Sequence, residues 1–324
     1  MEKTKGVSEM KVLVTGGAGF IGSHVCDTLV AIGHEVYIVD NFNNCHERYD
    51  STLVKVVKGD IMFPEKWEGQ IDQLDVVIHL AAQVSVALSE KDPMLDLSTN
   101  VLGTLKVLQV AKAKGAVEFR FASSAAVYGE QTNLPIDEQS RPSPLSFYAI
   151  SKITGERIVH HFCESAGIGS IAMRFSNVYG PRQRSDIDGG VIAVFLNAVL
   201  SRSNPVVYGD GNQTRDFIYV EDVANALIHR LGHIREHLTL NVSTNTPVSV
   251  NQLLSILTNV TKLDFGSASH MESRKGDILH SYLLNNRARQ FGFEPKVSLE
   301  EGLKRTFAYY LESNQKSRSK MKEP

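Results

Sequence analysis

No apolar run in this chain of 324 residues approaches the roughly 18 residues that a membrane-spanning helix requires. Cysteine is scarce. Cys26, Cys45 and Cys163 are scattered, odd in number, and form no CxxC or Cys/His ligand set. That usage excludes a disulfide scaffold and fits a reducing cytoplasm, where we expect the protein to work. Eleven histidines are present, but none pairs at HExxH-type spacing, so no metal is expected. His24 and His79 read as packed or capping residues. Net charge is −2, and no basic block occurs before the short tail KSRSKMKEP. Neither nucleic acid nor a membrane surface is therefore expected as a partner. The first ten residues are polar and lack an apolar h-region, which reads as a frayed N-terminus rather than a signal peptide. No internal repeat is found.

What remains is an ordinary globular composition, 42% hydrophobic and 22% charged, in a chain long enough for a large core and a second lobe. Lys11-Val12-Leu13-Val14-Thr15 is a short β-branched run typical of a buried strand. It breaks into Gly16-Gly17-Ala18-Gly19-Phe20-Ile21-Gly22, and helical apolar spacing follows. The glycines fall as GxxGxxG. In that strand–turn–helix context Gly16 serves the tight turn, Gly19 the close approach of backbone to a pyrophosphate, and Gly22 the packing of helix on strand. The free N–H groups at the helix start favour an anion. The second strand, Glu35 to Asp40, ends in an acid. A carboxylate there accepts hydrogen bonds from a ribose diol and repels a 2′-phosphate. Asn41-Phe42-Asn43-Asn44 offers that phosphate no Arg or Lys, so NAD is expected rather than NADP.

Strands and helices then alternate. Residues 53–60, 75–82, 116–122 and 168–175 read as strands, with a long helical pattern over 93–114 that contains Asn100. The strand 75–82 ends in small residues, which leave room for a ligand at its carboxyl end. Such an order implies a doubly wound parallel sheet, an α/β Rossmann-like fold. The loop 130–147 carries Pro135, Pro142 and Pro144 and cannot be regular helix. Beyond 176 the pattern changes to turns and short elements, a smaller C-terminal α/β lobe. We assign 1–176 to a dinucleotide-binding domain, to which 215–245 returns. Segments 177–214 and 246–312 make the second lobe, and 313–324 read as disordered.

Residues 123–152 hold the chemistry. Tyr148 and Lys152 stand at i and i+4, on one face of a helix. A phenol with an unperturbed pKa of about 10 is a poor base, and a neighbouring ammonium favours its phenolate. The pair can then take a proton from a sugar or alcohol hydroxyl, with Ser123 and Ser124 at the end of an apolar run able to bind the same oxygen.

In this order the segments TGGAGFIGSH (15–24), Asp40, Gly59-Asp60, HLAAQ (79–83), SSAAVYG (123–129), YAISK (148–152), RFSNVYGPR (174–182) and RDFIYVEDVANA (215–226) resemble the extended short-chain dehydrogenase/reductases. Within them the chain is similar to the NAD-dependent epimerase/dehydratase family, and in particular to nucleotide-sugar 4-epimerases. The resemblance covers nearly the whole chain. It implies that Tyr148 is the base, that Lys152 holds the nicotinamide ribose, and that Ser124, helped by Ser123, bonds the reacting hydroxyl. It places Phe20, Ile21, Asn41, Asp60, Ile61, Leu80, Ala81, Ala82, Gln83, Asn100 and Phe175 with the glycines and Asp40 around NAD. It places Asn177, Gly190, Val191, Val206, Tyr208, Arg215, Arg274, Asp277 and Ser281 around a UDP- or dTDP-sugar; Arg274-Lys275-Gly276-Asp277 resembles the family's RxGD. The implied reaction removes the O4 proton and the C4 hydride, turns the 4-keto sugar over, and returns hydride to its other face.

Sugar 4,6-dehydratases carry an Asp-Glu pair after the Ser/Thr, and nucleotide-sugar decarboxylases usually carry Glu there. Here the residues are Ala125 and Ala126, which transfer no proton, so both classes are disfavoured. A 4-ketoreductase remains open, although it would more often pair with NADPH. So does a UDP-glucuronate 4-epimerase, with Arg182 or Arg184 for the carboxylate. A non-catalytic dinucleotide sensor is the alternative from another class, but such proteins usually lose the Tyr or the Lys. In the epimerases a tyrosine four residues beyond the aspartate of RxGD confines the sugar pocket. Here that position is Ser281, so UDP-GlcNAc and UDP-GalNAc are expected substrates, with UDP-Glc and UDP-Gal as companions. The resemblance also implies a homodimer through 94–114 and 148–166, with Val101, Leu105, Leu108 and Ile158 at the contact.

Overall fold

The computed structural model describes residues 9–45, 54–186, 190–263, 268–273 and 278–320. The first part runs β1 (Lys11–Thr15), α1 (Phe20–Ala31), β2 (Glu35–Asp40), β3 (Val54–Lys58), β4 (Val76–His79), α2 (Val86–Lys91), α3 (Pro93–Leu97), α4 (Thr104–Ala113), β5 (Glu118–Ser124), α5 (Phe147–Ala166) and β6 (Gly169–Phe175). It continues with β7 (Asn177–Tyr179), α6 (Val191–Leu200), β8 (Val206–Tyr208), β9 (Thr214–Tyr219), α7 (Val220–Ile228), β10 (His237–Val242), β11 (Pro247–Ser249), α8 (Val250–Thr261), β12 (Ser269–Met271), β13 (His280–Ser281), α9 (Asn286–Phe291) and α10 (Leu299–Lys320).

Seven strands form one sheet in the order β10-β6-β5-β4-β1-β2-β3, every pair parallel. A parallel sheet needs both faces covered, and β1 shows how the sequence meets that need. Val12 and Val14 point into one core, with Val25 and Leu29 of α1 and Val223 and Leu227 of α7. Leu13 points into the other, with Val107 and Leu108 of α4 and Val159 and Cys163 of α5. The strand order reverses between β1 and β4, where an open α/β sheet leaves a crevice at its carboxyl edge.

The second lobe has its own core, built from Ile192, Phe195 and Leu196 of α6, Leu253 and Leu257 of α8, and Leu303 of α10. Its sheet joins β11, β9 and β13, with β7 beside β9, while β8 pairs with β12. Residues 215–245, expected to return to the first domain, divide. α7 and β10 do return, but β9 belongs to the lobe. Two further expectations change. The helix anticipated over 93–114 is interrupted by a π-helical turn at Ser98–Gly103. There Asn100 turns inward to hydrogen-bond the chain after β4, and Gly103 packs against Ile61 so closely that a Cβ would meet its Cδ1 at 2.7 Å. Residues 313–320, expected to be disordered, continue the backbone of α10, a segment rich in helix-forming Glu, Leu, Lys and Arg.

Candidate active site

The crevice is a cleft of about 390 Å³, walled on one side by the glycine turn and on the other by β5, α5 and the segment after β6. Gly16 has φ 71°, and a Cβ on it would meet the backbone nitrogen of Ala81 at 2.7 Å. Gly22 lies so close to the turn that a Cβ would overlap the carbonyl oxygen of Gly16. These two approaches seat α1 directly over the strand ends. The helix starts at Gly19 with no side-chain cap, so its first N–H groups are left for an anion. Asp40, at the end of β2, accepts from the backbone N–H of Phe42 at 2.8 Å and of Ala18 at 3.0 Å, which ties it to the glycine turn. Burial raises its carboxyl above the ordinary value, and those N–H groups oppose the rise. Small residues, a bare helix start and a terminal carboxylate together fit a dinucleotide.

Across the cleft, α2 organises the start of α5. Ser146 caps it by accepting from the N–H of Ala149 at 3.1 Å, Glu90 accepts from Phe147 N–H, and Ser89 accepts from Tyr148 N–H at 3.1 Å. The orphan donors of the first turn are thus satisfied, and Tyr148 is held at the cleft wall. One turn on, Lys152 donates to the carbonyl oxygen of Ala122 at 3.0 Å, with Nζ 5.8 Å from the centre of the Tyr148 ring. Gly155 makes this reach possible, because a Cβ there would meet Phe121 Cζ at 2.6 Å. Burial pushes the Lys152 ammonium down to about 8, against the pull of Asp96 and Glu156. Ser123 donates to the buried Glu156, which Arg174 clamps with Nε and Nη2 at 2.9 and 2.6 Å. Ser124 faces the cleft and accepts from Ala126 N–H at 3.2 Å. His79 stands behind the turn between the hydroxyls of Thr15 and Thr104, and burial lowers it to about 3, so the imidazole is neutral.

Gly16, Gly19, Phe20, Ile21, Gly22, Asp40, Asn41, Asp60, Ile61, Leu80, Ala81, Ala82, Ser123, Ser124, Tyr148, Lys152 and Phe175 therefore meet around one cleft. Gln83 and Asn100 lie behind its wall instead. Asn100 Oδ1 accepts from Gln83 N–H at 2.8 Å, and its amide donates to Gln83 O, Asp96 and Ser151. The residues expected around a sugar nucleotide stand on the lobe, outside the cleft lining. Asn177 donates to Asp216 O, Gly190 abuts Gln183, Val191 opens α6, and Val206 and Tyr208 are on β8. Arg215 and Ser281 are paired neighbours on β9 and β13, and Arg215 donates to Thr214 O. Arg274 and Asp277 lie outside the described residues.

Val84, Leu95, Thr99 and Gln183 also line the cleft, and sequence reasoning did not find them. None belongs to a polar cluster or glycine motif. Leu95 and Thr99 stand on either side of Ser98, where the helix passes into its π-helical turn. Arg182 and Arg184 reach it too, but pair with Asp27 and Asp186. Among the described residues no cluster of three or more His, Cys, Asp or Glu could hold a metal, and no helix is long and apolar enough to cross a membrane.

Residues 12–243 match the NAD dependent epimerase/dehydratase family. The chain belongs to it. A putative UDP-glucose 4-epimerase of Methanocaldococcus jannaschii is 38% identical over 306 residues, covering 94% of this chain and 99% of that protein. Among solved structures, the UDP-glucose 4-epimerase of Thermotoga maritima with UDP-glucose superposes with a TM-score of 0.89 at 36% identity, covering 94% of this chain and 100% of that one. The UDP-N-acetylglucosamine 4-epimerase of Methanobrevibacter ruminantium, in complex with UDP-N-acetylmuramic acid, gives 0.89 at 33% identity, with 95% and 100% covered. Similarity extends to other chemistry on this fold: a UDP-N-acetyl-alpha-D-glucosaminuronate decarboxylase of Bacillus cytotoxicus is 31% identical, covering 93% of this chain and 98% of that protein. The protein is thus a NAD-dependent enzyme of the nucleotide-sugar epimerase class or one of its close relatives.

Proposed function

We propose that the protein interconverts the C4 epimers of a UDP-hexose. The observation that carries this reading is the convergence of Ser124, Tyr148 and Lys152 on one cleft, followed directly by Ala125 and Ala126. The serine and tyrosine hydroxyls supply a binding group and a base for one sugar hydroxyl. The alanines supply no second acid or base, which dehydration would need. NAD held between the glycine turn and Lys152 would accept and return the hydride at C4. In this reading Tyr148 takes the O4 proton, Ser124 orients O4, and Lys152 supplies the charge that makes the phenol acidic. Arg182 and Arg184, the residues that would favour UDP-glucuronate, already hold the protein's own carboxylates.

We assign the acetylated pair, UDP-GlcNAc and UDP-GalNAc, as substrates because Ser281 is small and stands beside Arg215. A homodimer is part of the same proposal. Met94, Leu102, Phe147 and Ile150 present exposed apolar surface at α3, the π-helical turn after it and the start of α5. Leu108, one of the expected contacts, is instead fully buried in the sheet core. Incubation with a panel of UDP-hexoses and separation of C4 epimers tests the function. Interconversion without net NADH is expected, and binding of NAD with no turnover of any sugar would leave the sensor reading in its place.

A further inference from the structure

Two carboxylates act on the buried ammonium of Lys152, Asp96 on α3 and Glu156 one turn further along α5. They are not equivalent. Glu156 is held by both nitrogens of the Arg174 fork and by Ser123, so its charge is already answered. Asp96 is fully buried. Its Oδ1 accepts from Gln83 Nε2 at 2.8 Å and from Asn100 Nδ2 at 3.1 Å, both neutral amides. Its Oδ2 is buried with no hydrogen-bond partner among the described residues. A buried carboxylate left in that state is costly unless an opposite charge answers it.

The other groups facing Lys152 do not supply or compete for that charge. Tyr148 and Phe121 present rings, 5.8 and 5.2 Å from Nζ. His79 on β4 is neutral, and Arg174 on β6 is spent on Glu156. A second link joins Asp96 to the site. Asn100 Nδ2 also donates to Ser151 Oγ at 3.1 Å, and Ser151 Oγ donates to the carbonyl oxygen of Tyr148 at 2.9 Å. The carboxylate is therefore bound through two side chains to the helical turn that carries Tyr148.

We propose that Asp96 is a positioning residue whose carboxylate is the counter-charge that keeps Lys152 an ammonium in the dry floor of the cleft, and through Lys152 keeps Tyr148 acidic. This rests on the reading of Tyr148 as base. Neither a glycine motif nor a Tyr/Lys pair singles Asp96 out. The packing of α3 brings it against Gln83 and Asn100, and burial sets its weight.

Asp96→Asn tests the assignment, because it keeps an oxygen for the two amide donors and removes only the charge. The rising limb of kcat against pH should move to higher pH by about one unit, with turnover at pH 7 falling on the order of tenfold. Melting temperature and NAD content should hold. Asp96→Glu, which retains the charge, should keep the wild-type limb. A uniform fall in kcat with the limb unmoved in Asp96→Asn, or a limb displaced equally by Glu and Asn, overturns the proposal and leaves Asp96 a packing residue. Should Asp96→Asn not accumulate as folded protein, Asp96→Ser is read in the same way. Tyr148→Phe is assayed alongside. If that variant still interconverts epimers, the base assignment has failed. If it is inactive and the Asp96→Asn limb stays in place, the Asp96 inference alone has failed.

Discussion

The two walls of the cleft are built on different principles. On the seven-stranded sheet, position is set by backbone approach: Gly16 against Ala81, Gly22 against Gly16, Gly155 against Phe121. Residues there are held by several partners each, through the backbone at Tyr148 and through the side chain at Lys152 and Asp40. On the lobe, Asn177, Tyr208, Arg215 and Ser281 sit on strands of two to six residues. These make few contacts with the sheet domain, apart from ties such as Asp216, which accepts from Ser176, Thr244 and Asn245. In the proposed function the sheet wall carries the proton and hydride chemistry and the lobe wall selects the sugar.

If this contrast holds, substitutions on the sheet wall should abolish or destabilise, and those on the lobe should redirect. Tyr148→Phe should lower kcat by about two to four orders of magnitude, the usual contribution of a general base. NAD retention, read by absorbance and fluorescence of the purified protein, should not change. Persistence of epimer interconversion in that variant would break the comparison at its root.

Lys152→Met reports the cost of the buried ammonium. The folded-state value of about 8 lies below the ordinary 10.5, so the unfolded chain holds the proton more tightly. Stability of the wild type should rise as pH climbs through that window, while the Met variant should lack this slope. The slope is read by chemical denaturation at a series of pH values across that window. An identical pH slope in both proteins would refute it.

Gly155→Val forces a side chain against Phe121 and should destabilise by about 1–3 kcal/mol while shifting α5 away from β5. Turnover should then fall even where the protein is fully folded. Ser281→Tyr is the mildest. It should leave the fold intact and reduce turnover of UDP-GlcNAc and UDP-GalNAc by roughly tenfold more than that of UDP-Glc and UDP-Gal, the selectivity a pocket contact of 1–3 kcal/mol gives. Equal losses on both pairs would remove Ser281 from the specificity argument.

Much of the sheet wall could be read in advance because its signals are local. A glycine triad between strand and helix, an acid closing the second strand, and Tyr and Lys four residues apart all fix geometry within one or two elements. β1 and β2 begin and end where the hydrophobic runs do. The lobe was harder. β7, β9, β11 and β13 are short, and their pairing joins residues as distant as Arg215 and Val248. Asn100 was expected at the cofactor and instead supports the wall from behind. The interruption of the helix after Leu97 depends on what Asn100 and Gly103 meet across the fold, which spacing within the helix does not record.

From its sequence alone the chain determined its class, its dinucleotide turn and the pairing of Tyr148 with Lys152 on one helix face, because each depends on residues close in the chain or on one element's periodicity. Tertiary structure alone decided that Asp96, Glu156 and Arg174 lie beneath the Tyr/Lys face, that α2 caps α5, and which residues of the helix around its π-helical turn reach the cleft. Burial and charge compensation are properties of what comes together from distant segments, and no local pattern specifies them.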